Sequence, residues 1–200
     1  MQLSSCYLFQ GLSESQLSLI RTIGSEAPVQ AGQWLFHEGD AAEQMYVLKD
    51  GAVELLTTVE EVELPITIVR KPGNCFGTST MVPPHQYSLS ARCAEDGLLL
   101  SIKKSDLDHL IKEDCELGNT ILANLAKHFL DRLKEITLVF GKAQIEAGAD
   151  VLCVADHATG DLIRGEMYRD FLQPIHQEIT AALGCPLVLH ICGDTLDRMG

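Results

Sequence analysis

The sequence predicts an α+β protein: a β-barrel of jelly-roll type with flanking helices, followed by a partial β/α strand–helix–strand segment. Three observations predict this. The apolar period changes from 3.6 to about two beyond Pro28 and Gly32, and it returns to 3.6 after residue 104. Glycine-containing turns recur between the short apolar runs of the middle region. Beyond Gly141, two nearly continuous apolar runs bracket one helical segment.

The elements follow in order. Residues 13–23, SESQLSLIRTI, read as a helix with Ser13 at its N-cap and Leu17, Ile20 and Ile23 on one face. Pro28 and Gly32 then punctuate the chain. Residues 34–36, 45–48, 53–58, 65–69 and 98–102 read as strands. The turns between the first four are Glu38-Gly39-Asp40, Lys49-Asp50-Gly51 and, after the last of them, Pro72-Gly73. Ser105 is positioned to cap a helix over SDLDHLIKED. A second helix over residues 116–136 carries an apolar stripe of Leu117, Ile121, Leu125, Phe129, Leu133 and Ile136. Part of that stripe must cover the barrel. The spacing alone leaves open whether the rest is core or the seam of a homodimer.

Beyond residue 142, AQIEAG ends a helix with Gly148 as its C-cap. Residues 150–155 and 186–192 read as buried parallel strands. Residues 165–183 read as a helix interrupted at Pro174 and ended by Gly184, and Asp194 would cap another. The division this implies is 1–137 and 138–200.

Composition limits the functions open to this chain. It has 200 residues, 46% of them hydrophobic and 22% charged, a soluble globular balance. Its net charge is −13, so no nucleic-acid partner is expected through a broad basic face. No apolar run reaches membrane-spanning length, so no membrane partner is expected either. The N-terminus lacks a basic region followed by an apolar core and does not read as a signal peptide. The seven cysteines show no CxxC pair and read as reduced thiols of a cytoplasmic protein.

Residues 7–137 resemble the cyclic-nucleotide-binding domain of the catabolite-activator type. The resemblance rests on Gly32, Phe36, Glu38-Gly39-Asp40, the run Tyr46 to Val53 with Gly51, and Gly73-Asn-Cys-Phe76-Gly77, which opens the family's phosphate-binding cassette. It implies that residues 116–136 form a dimerisation helix. The cassette residues it points to are Phe76, Gly77, Thr78, Ser79 and His85. In the family a glutamate follows Phe-Gly and accepts from the ribose hydroxyl, while an arginine and helix N–H groups hold the cyclic phosphate. Here Thr78 stands at the glutamate position. No Arg or Lys lies between Lys71 and Arg92, and the arginine position falls near His85. A neutral imidazole does not replace a bidentate guanidinium. Cyclic AMP or GMP is therefore not the expected ligand. The alternatives are an empty structural barrel and a pocket for another small molecule. The helix-turn-helix of the family's transcription factors does not follow residue 137.

Residues 141–200 resemble the uroporphyrinogen-decarboxylase superfamily, and within it the cobalamin-dependent thiol methyltransferases. The match is carried by Gln144 to Asp156, Gly160-Asp-Leu162, Tyr168-Arg-Asp-Phe171, Pro174 and Leu189-His190-Ile-Cys192-Gly193. The family fold is a TIM barrel of eight strands, so the segment reads as TIM-barrel-derived and supplies two. Strand alternation puts His190 and Cys192 on one side. By resemblance they are two ligands of a zinc that lowers a substrate thiol's pKa, and a corrinoid protein is the partner of a complete barrel. A catalytic zinc takes three protein ligands. Cys153, Asp156 and His157 on the neighbouring strand are substitutes for the third, and Cys185 lies at the far end of its strand. Three readings follow: a regulatory binding module, the first portion of an enzyme under sensory control, and a truncated frame with an inert tail. The two strands, and the absence from this chain of the family's distant third ligand, predict that these residues alone are inactive as an enzyme.

Overall fold

The computed structural model describes residues 3–156, 164–191 and 193. These residues fall into two compact units, 1–127 and 128–200, whose division lies inside one long helix. The boundary expected from sequence, 137, falls in the same helix.

Unit 1 opens with two short 3-10 turns, Leu3–Ser5 and Tyr7–Phe9, followed by α1 (Glu14–Ile23). Ser13 caps α1 in a reciprocal capping box with Gln16. Eight antiparallel strands follow: β1 (Gly24–Val29), β2 (Trp34–Phe36), β3 (Gln44–Asp50), β4 (Val53–Val59), β5 (Val62–Val69), β6 (Cys75–Phe76), β7 (Ser90–Cys93) and β8 (Gly97–Lys103). They form two four-stranded sheets, ordered β1-β8-β3-β6 and β2-β7-β4-β5. This is the expected jelly roll. Three strands were not expected from sequence. β1 is polar and contains Pro28, which an edge strand tolerates because one of its sides makes no ladder bonds. β6 and β7 have two and four residues, too few for a period to show.

The first sheet is apolar on both faces. Leu48, Phe76 and Leu99 point into the barrel with Phe36, Val53, Val69 and Ala91 of the second sheet. Met45, Val47, Leu100 and Ile102 point the other way, against Leu17 and Ile20 of α1 and the helices that follow β8. Those helices are α2 (Lys104–Glu113) and α3 (Cys115–Glu146). The N-cap of α2 is Lys103, which corrects the Ser105 cap. β8 runs directly into the helix, and the Lys104 N–H donates to the Glu43 carbonyl at 2.7 Å. The Ser105 hydroxyl instead bonds Asp106 at 3.1 Å. At the start of α3, the Asp114 carboxylate accepts the Leu117 N–H at 2.9 Å and the Gln16 amide at 3.0 Å. These bonds, Leu117's first, hold its carboxyl below the usual value. Leu117, Ile121 and Leu125 are buried in the helical core, and Phe129, Leu133 and Ile136 are exposed.

α3 continues without a break to Glu146, beyond the expected end at 136. In unit 2, β9 (Leu152–Asp156) pairs in parallel with β10 (Leu187–Ile191). Between them lie α4 (Gly165–Met167), a π-helical turn (Tyr168–Leu172) and α5 (Gln173–Leu183). Pro174 sits in the first turn of α5, where its missing N–H costs nothing, so the helix divides as expected. Gly184 ends α5 in the left-handed region, with φ of 65°. One face of the pair is covered: Leu152, Ile179 and Leu183 form its core with Leu138, Ile145 and Leu187. The other face, carrying Cys153, Ala155, Val188 and His190, is exposed. The helix expected after Asp194 lies outside the described residues.

Candidate functional site

The cassette begins where β6 leaves the sheet. Gly77 has φ of 74°, and a Cβ there would stand 3.1 Å from the Gln44 carbonyl oxygen, so this turn requires glycine. Thr78, Ser79 and Thr80 follow in a single 3-10 turn, Thr78–Met81. Thr78 and Ser79 are half-buried, while Thr80 is buried and its hydroxyl donates to the Gly77 carbonyl at 3.2 Å. His85 adopts φ of 58°, and its Nδ1 lies 3.1 Å from the Thr80 carbonyl oxygen. Its backbone carbonyl accepts the Ala42 N–H at 2.8 Å. His85 therefore holds the loop to itself and to the chain before β3.

Sequence reasoning missed the aromatic group that fills the barrel behind this turn. Phe36 stacks on Tyr87 with ring centroids 3.7 Å apart, and Tyr46 stacks on Phe76 at 5.3 Å. Phe36 also faces Tyr46 at 5.8 Å and joins the two pairs. The Tyr87 hydroxyl donates to the Gln44 carbonyl at 2.6 Å and accepts the Gln44 N–H at 3.2 Å, closing the cassette loop onto β3. Burial pushes the Tyr46 phenol up to about 12 and raises that of Tyr87. Both are neutral at any physiological pH. The four residues come from separate elements, and no local spacing could have joined them.

The first basic side chain after the cassette, Arg92, turns away. On β7, Ala91 and Cys93 face the barrel core and Arg92 faces outward. Its guanidinium bonds Glu54 at 2.9 Å and Glu63 at 2.8 Å, and it sits 4.9 Å from the centre of the Trp34 ring. Ser90, buried two residues before it, accepts the Glu38 N–H at 2.9 Å. The cassette thus presents hydroxyls and backbone amides, its aromatic rings are stacked on one another and buried behind it, and the arginine that follows is already paired on the outside.

In unit 2, His190 stands on the exposed face of β10 in register with Ala155, and Cys153 stands on the same face opposite Val188. Asp156 lies on the covered side, where its carboxylate meets His176 Nε2 at 2.8 Å. His176 Nδ1 in turn lies 3.1 Å from the Tyr168 hydroxyl. This Tyr168–His176–Asp156 chain was not legible in sequence, because its members come from three elements. It removes Asp156 from the substitutes for a third metal ligand beside His190. Cys185 lies before β10, with its thiol directed at the Pro186 carbonyl at 3.7 Å. Cys192 and His157 lie outside the described residues. Among the described residues, no three His, Cys, Asp or Glu side chains converge as a metal site would require.

Comparison with known proteins matches two separate stretches of the chain. Residues 26–114 match the cyclic nucleotide-binding domain, and residues 123–200 match uroporphyrinogen decarboxylase. A methylated-thiol–coenzyme M methyltransferase of Methanosarcina mazei is 39% identical over 71 residues, 35% of this chain and 19% of that protein. The chain thus spans about a fifth of the length of that relative. The N-terminal domain of a transcriptional regulator from Streptomyces coelicolor superposes with a TM-score of 0.58 and 25% identity, over 64% of this chain and 92% of that one. The catabolite activator protein of Thermus thermophilus superposes with a TM-score of 0.57 and 24% identity, over 90% of this chain and 81% of that one, a likeness of fold. The chain joins a catabolite-activator-type nucleotide-binding fold to a segment of the decarboxylase type that has methyltransferase homologues.

Proposed function

We propose that unit 1 is a regulatory module whose degenerate cassette does not hold cyclic AMP or cyclic GMP, and that it pairs with a second copy through α3. The observation that carries this is the outward placement of Arg92, bonded to Glu54 and Glu63. A cyclic phosphate entering beside Gly77–Ser79 would be desolvated without a cationic partner, and each lost charge-assisted bond costs about 1.5–3 kcal/mol. Thr78 removes the carboxylate acceptor for the ribose hydroxyl as well. The neutral cassette suits an uncharged small molecule, or serves only as a structural closure. A cytoplasmic setting with no nucleic-acid partner fits the acidic charge and reduced thiols.

The dimer reading rests on the exposed side of α3. Leu122, Ala126, Phe129, Leu133, Ile136 and Phe140 are exposed and follow one another at spacings of four and three, the pattern of a coiled-coil seam. The inner side of the same helix is occupied by Leu117, Ile121 and Leu125.

Unit 2 supports a second reading, that this segment belongs to a zinc-dependent thiol methyltransferase or a related decarboxylase under sensory control. His190 and Cys192 are the residues that would hold the zinc, which would lower the pKa of a bound thiol. Two donors fall short of the three of a catalytic zinc, and no step is assigned through it. Among the described residues, unit 2 presents two parallel strands where a barrel needs eight, so we infer no methyl-transfer activity for these 200 residues by themselves, and a corrinoid partner belongs only to a complete barrel.

Titration calorimetry of cyclic AMP into the purified chain tests the cassette reading. The expected result is no binding heat at micromolar concentrations, and micromolar affinity would overturn it. Sedimentation of the wild type and of Leu133→Asp tests the seam. A dimer that the substitution converts to monomer supports it, and a wild-type monomer refutes it.

A further inference from the structure

We propose that Cys6 and Cys75 form an oxidative modification site, an internal thiol pair that peroxide converts to a disulfide tying the N-terminal turns to the cassette strand. The two residues are far apart in sequence but share one buried cluster, at 0% and 9% exposure. The chain segments that carry them are pressed together. A Cβ on Gly73 would lie 2.5 Å from the Ser5 hydroxyl and 3.3 Å from the Ser5 carbonyl oxygen, so only glycine lets the turn before β6 approach residue 5 this closely. The two thiols interact: the Cys75 side chain acts as hydrogen-bond partner to that of Cys6, and the Tyr7 side chain to Cys75. None of the other described cysteines shares that cluster: Cys93 lies in the barrel interior, Cys115 and Cys153 are exposed, and Cys185 is half-buried.

The environment assigns the two sulfurs different roles. The bond from Cys75, with backbone N–H groups of Leu8 and Phe9, lowers the Cys6 thiol below its usual value. Burial, followed by the bond to Cys6, raises Cys75. Cys6 is thus the more acidic of the two sulfurs, the one from which a thiolate forms first, and Cys75 the one that holds its proton longer. In the first step the Cys6 thiolate attacks one peroxide oxygen. The O–O bond breaks, Cys6 becomes a sulfenic acid, and the departing hydroxide takes the Cys75 proton to leave as water. In the second step the Cys75 thiolate attacks the sulfenic sulfur. The S–S bond forms, the S–O bond breaks, and the released hydroxide leaves as water with a proton from solvent. Two thiols and one peroxide give one disulfide and two waters, and the proton drawn from solvent balances the one lost when Cys6 ionised.

The structural consequence lies next to the cassette. Cys75 is one residue from Phe76 of the aromatic group and two from Gly77. Its strand is already tied to β3 through the Gly73 N–H to Leu48 carbonyl bond at 2.8 Å and the Leu48 N–H to Asn74 carbonyl bond at 2.9 Å. Oxidation would add a covalent tie from this strand to the turns Leu3–Ser5 and Tyr7–Phe9, which are otherwise held by apolar packing and by hydrogen bonds, among them the Asn124 amide to the Leu8 carbonyl at 3.0 Å.

The experiment treats the reduced 200-residue chain with hydrogen peroxide, blocks remaining thiols with N-ethylmaleimide, and maps peptides without reduction. The expected result is one intramolecular cross-link between the Cys6 and Cys75 peptides. It should be absent in Cys6→Ser and Cys75→Ser and reversed by dithiothreitol. The melting temperature of unit 1 should rise on oxidation by about 5 °C or more, as a long closed loop predicts. If the serine variants fail to fold, the wild-type map decides alone. Recovery of Cys6 and Cys75 on separate peptides while Cys115 and Cys153 are oxidised would overturn the proposal. So would a cross-link from either residue to a different cysteine.

Discussion

The first barrel sheet hides both of its faces, whereas the parallel pair β9–β10 hides only one. β8 shows the first case: Leu99 faces the aromatic interior, while Leu100 and Ile102 face the helices. β10 shows the second: Leu187 packs toward Leu183 and Leu152, while Val188 is 53% exposed and His190 lies on the same open side. Both strands are short apolar runs in sequence. What separates them is the number of layers available to cover them, since an apolar face left in water forgoes about 25 cal/mol per Å². Unit 1 supplies two layers for its central sheet. Unit 2 supplies one, as expected for strands that in a whole β/α barrel would be covered on both sides.

The sharpest way to break this comparison is to remove one group from each core. Phe36→Ala takes away the ring stacked on Tyr87 and touching both other aromatics. It should cost unit 1 about 3–5 kcal/mol in urea unfolding. Leu183→Ala removes a buried side chain from the small core of unit 2. It should cost about 2–4 kcal/mol, lost from β9 and β10 while amide protection in β3 and β8 is retained. A loss of barrel protection in that variant would show that the units do not fold independently. Gly77→Ala should cost about 1–2 kcal/mol through its left-handed backbone alone, with Gln44 hindering it further.

The smallest expected effects concern pH. Burial, assisted by Arg132, holds His128 below its ordinary value, so the folded state favours the neutral ring. Its contribution is present above the ordinary imidazole value and is lost as pH falls through the depressed one. His128→Gln should flatten that part of the melting profile. Asp114 behaves alike at lower pH: its folded value is depressed, so its contribution is lost as pH falls through that value. Asp114→Asn should shift the acid-unfolding limb and leave neutral thermal unfolding less cooperative at the start of α3.

Much of this fold was legible because local chemistry agreed with tertiary structure. The Ser13 cap, the Pro174 break and the Gly184 cap each state their role within a few residues. β1 was not legible because its partner β8 supplies the ladder that its polar sequence does not announce. Ser105 failed as a cap because the Lys104 N–H bonds Glu43, a contact across the fold. The cassette positions could be located from Gly77, but their behaviour depended on two facts that alternation and distance decide. Arg92 faces outward, and Tyr87 closes the loop through Gln44. The Tyr168–His176–Asp156 chain and the Cys6–Cys75 pair were invisible for the same reason: each assembles side chains that only folding brings together.

The central proposal is that the cassette is closed by its own side chains and, among the described residues, offers no cationic place for a cyclic phosphate. Hydrogen exchange of the whole chain, with and without saturating cyclic AMP, reads it most directly at residues 75–91. The account predicts identical exchange in both conditions. Slowed exchange at the backbone N–H groups of Gly77, Thr78 and Ser79 would contradict it.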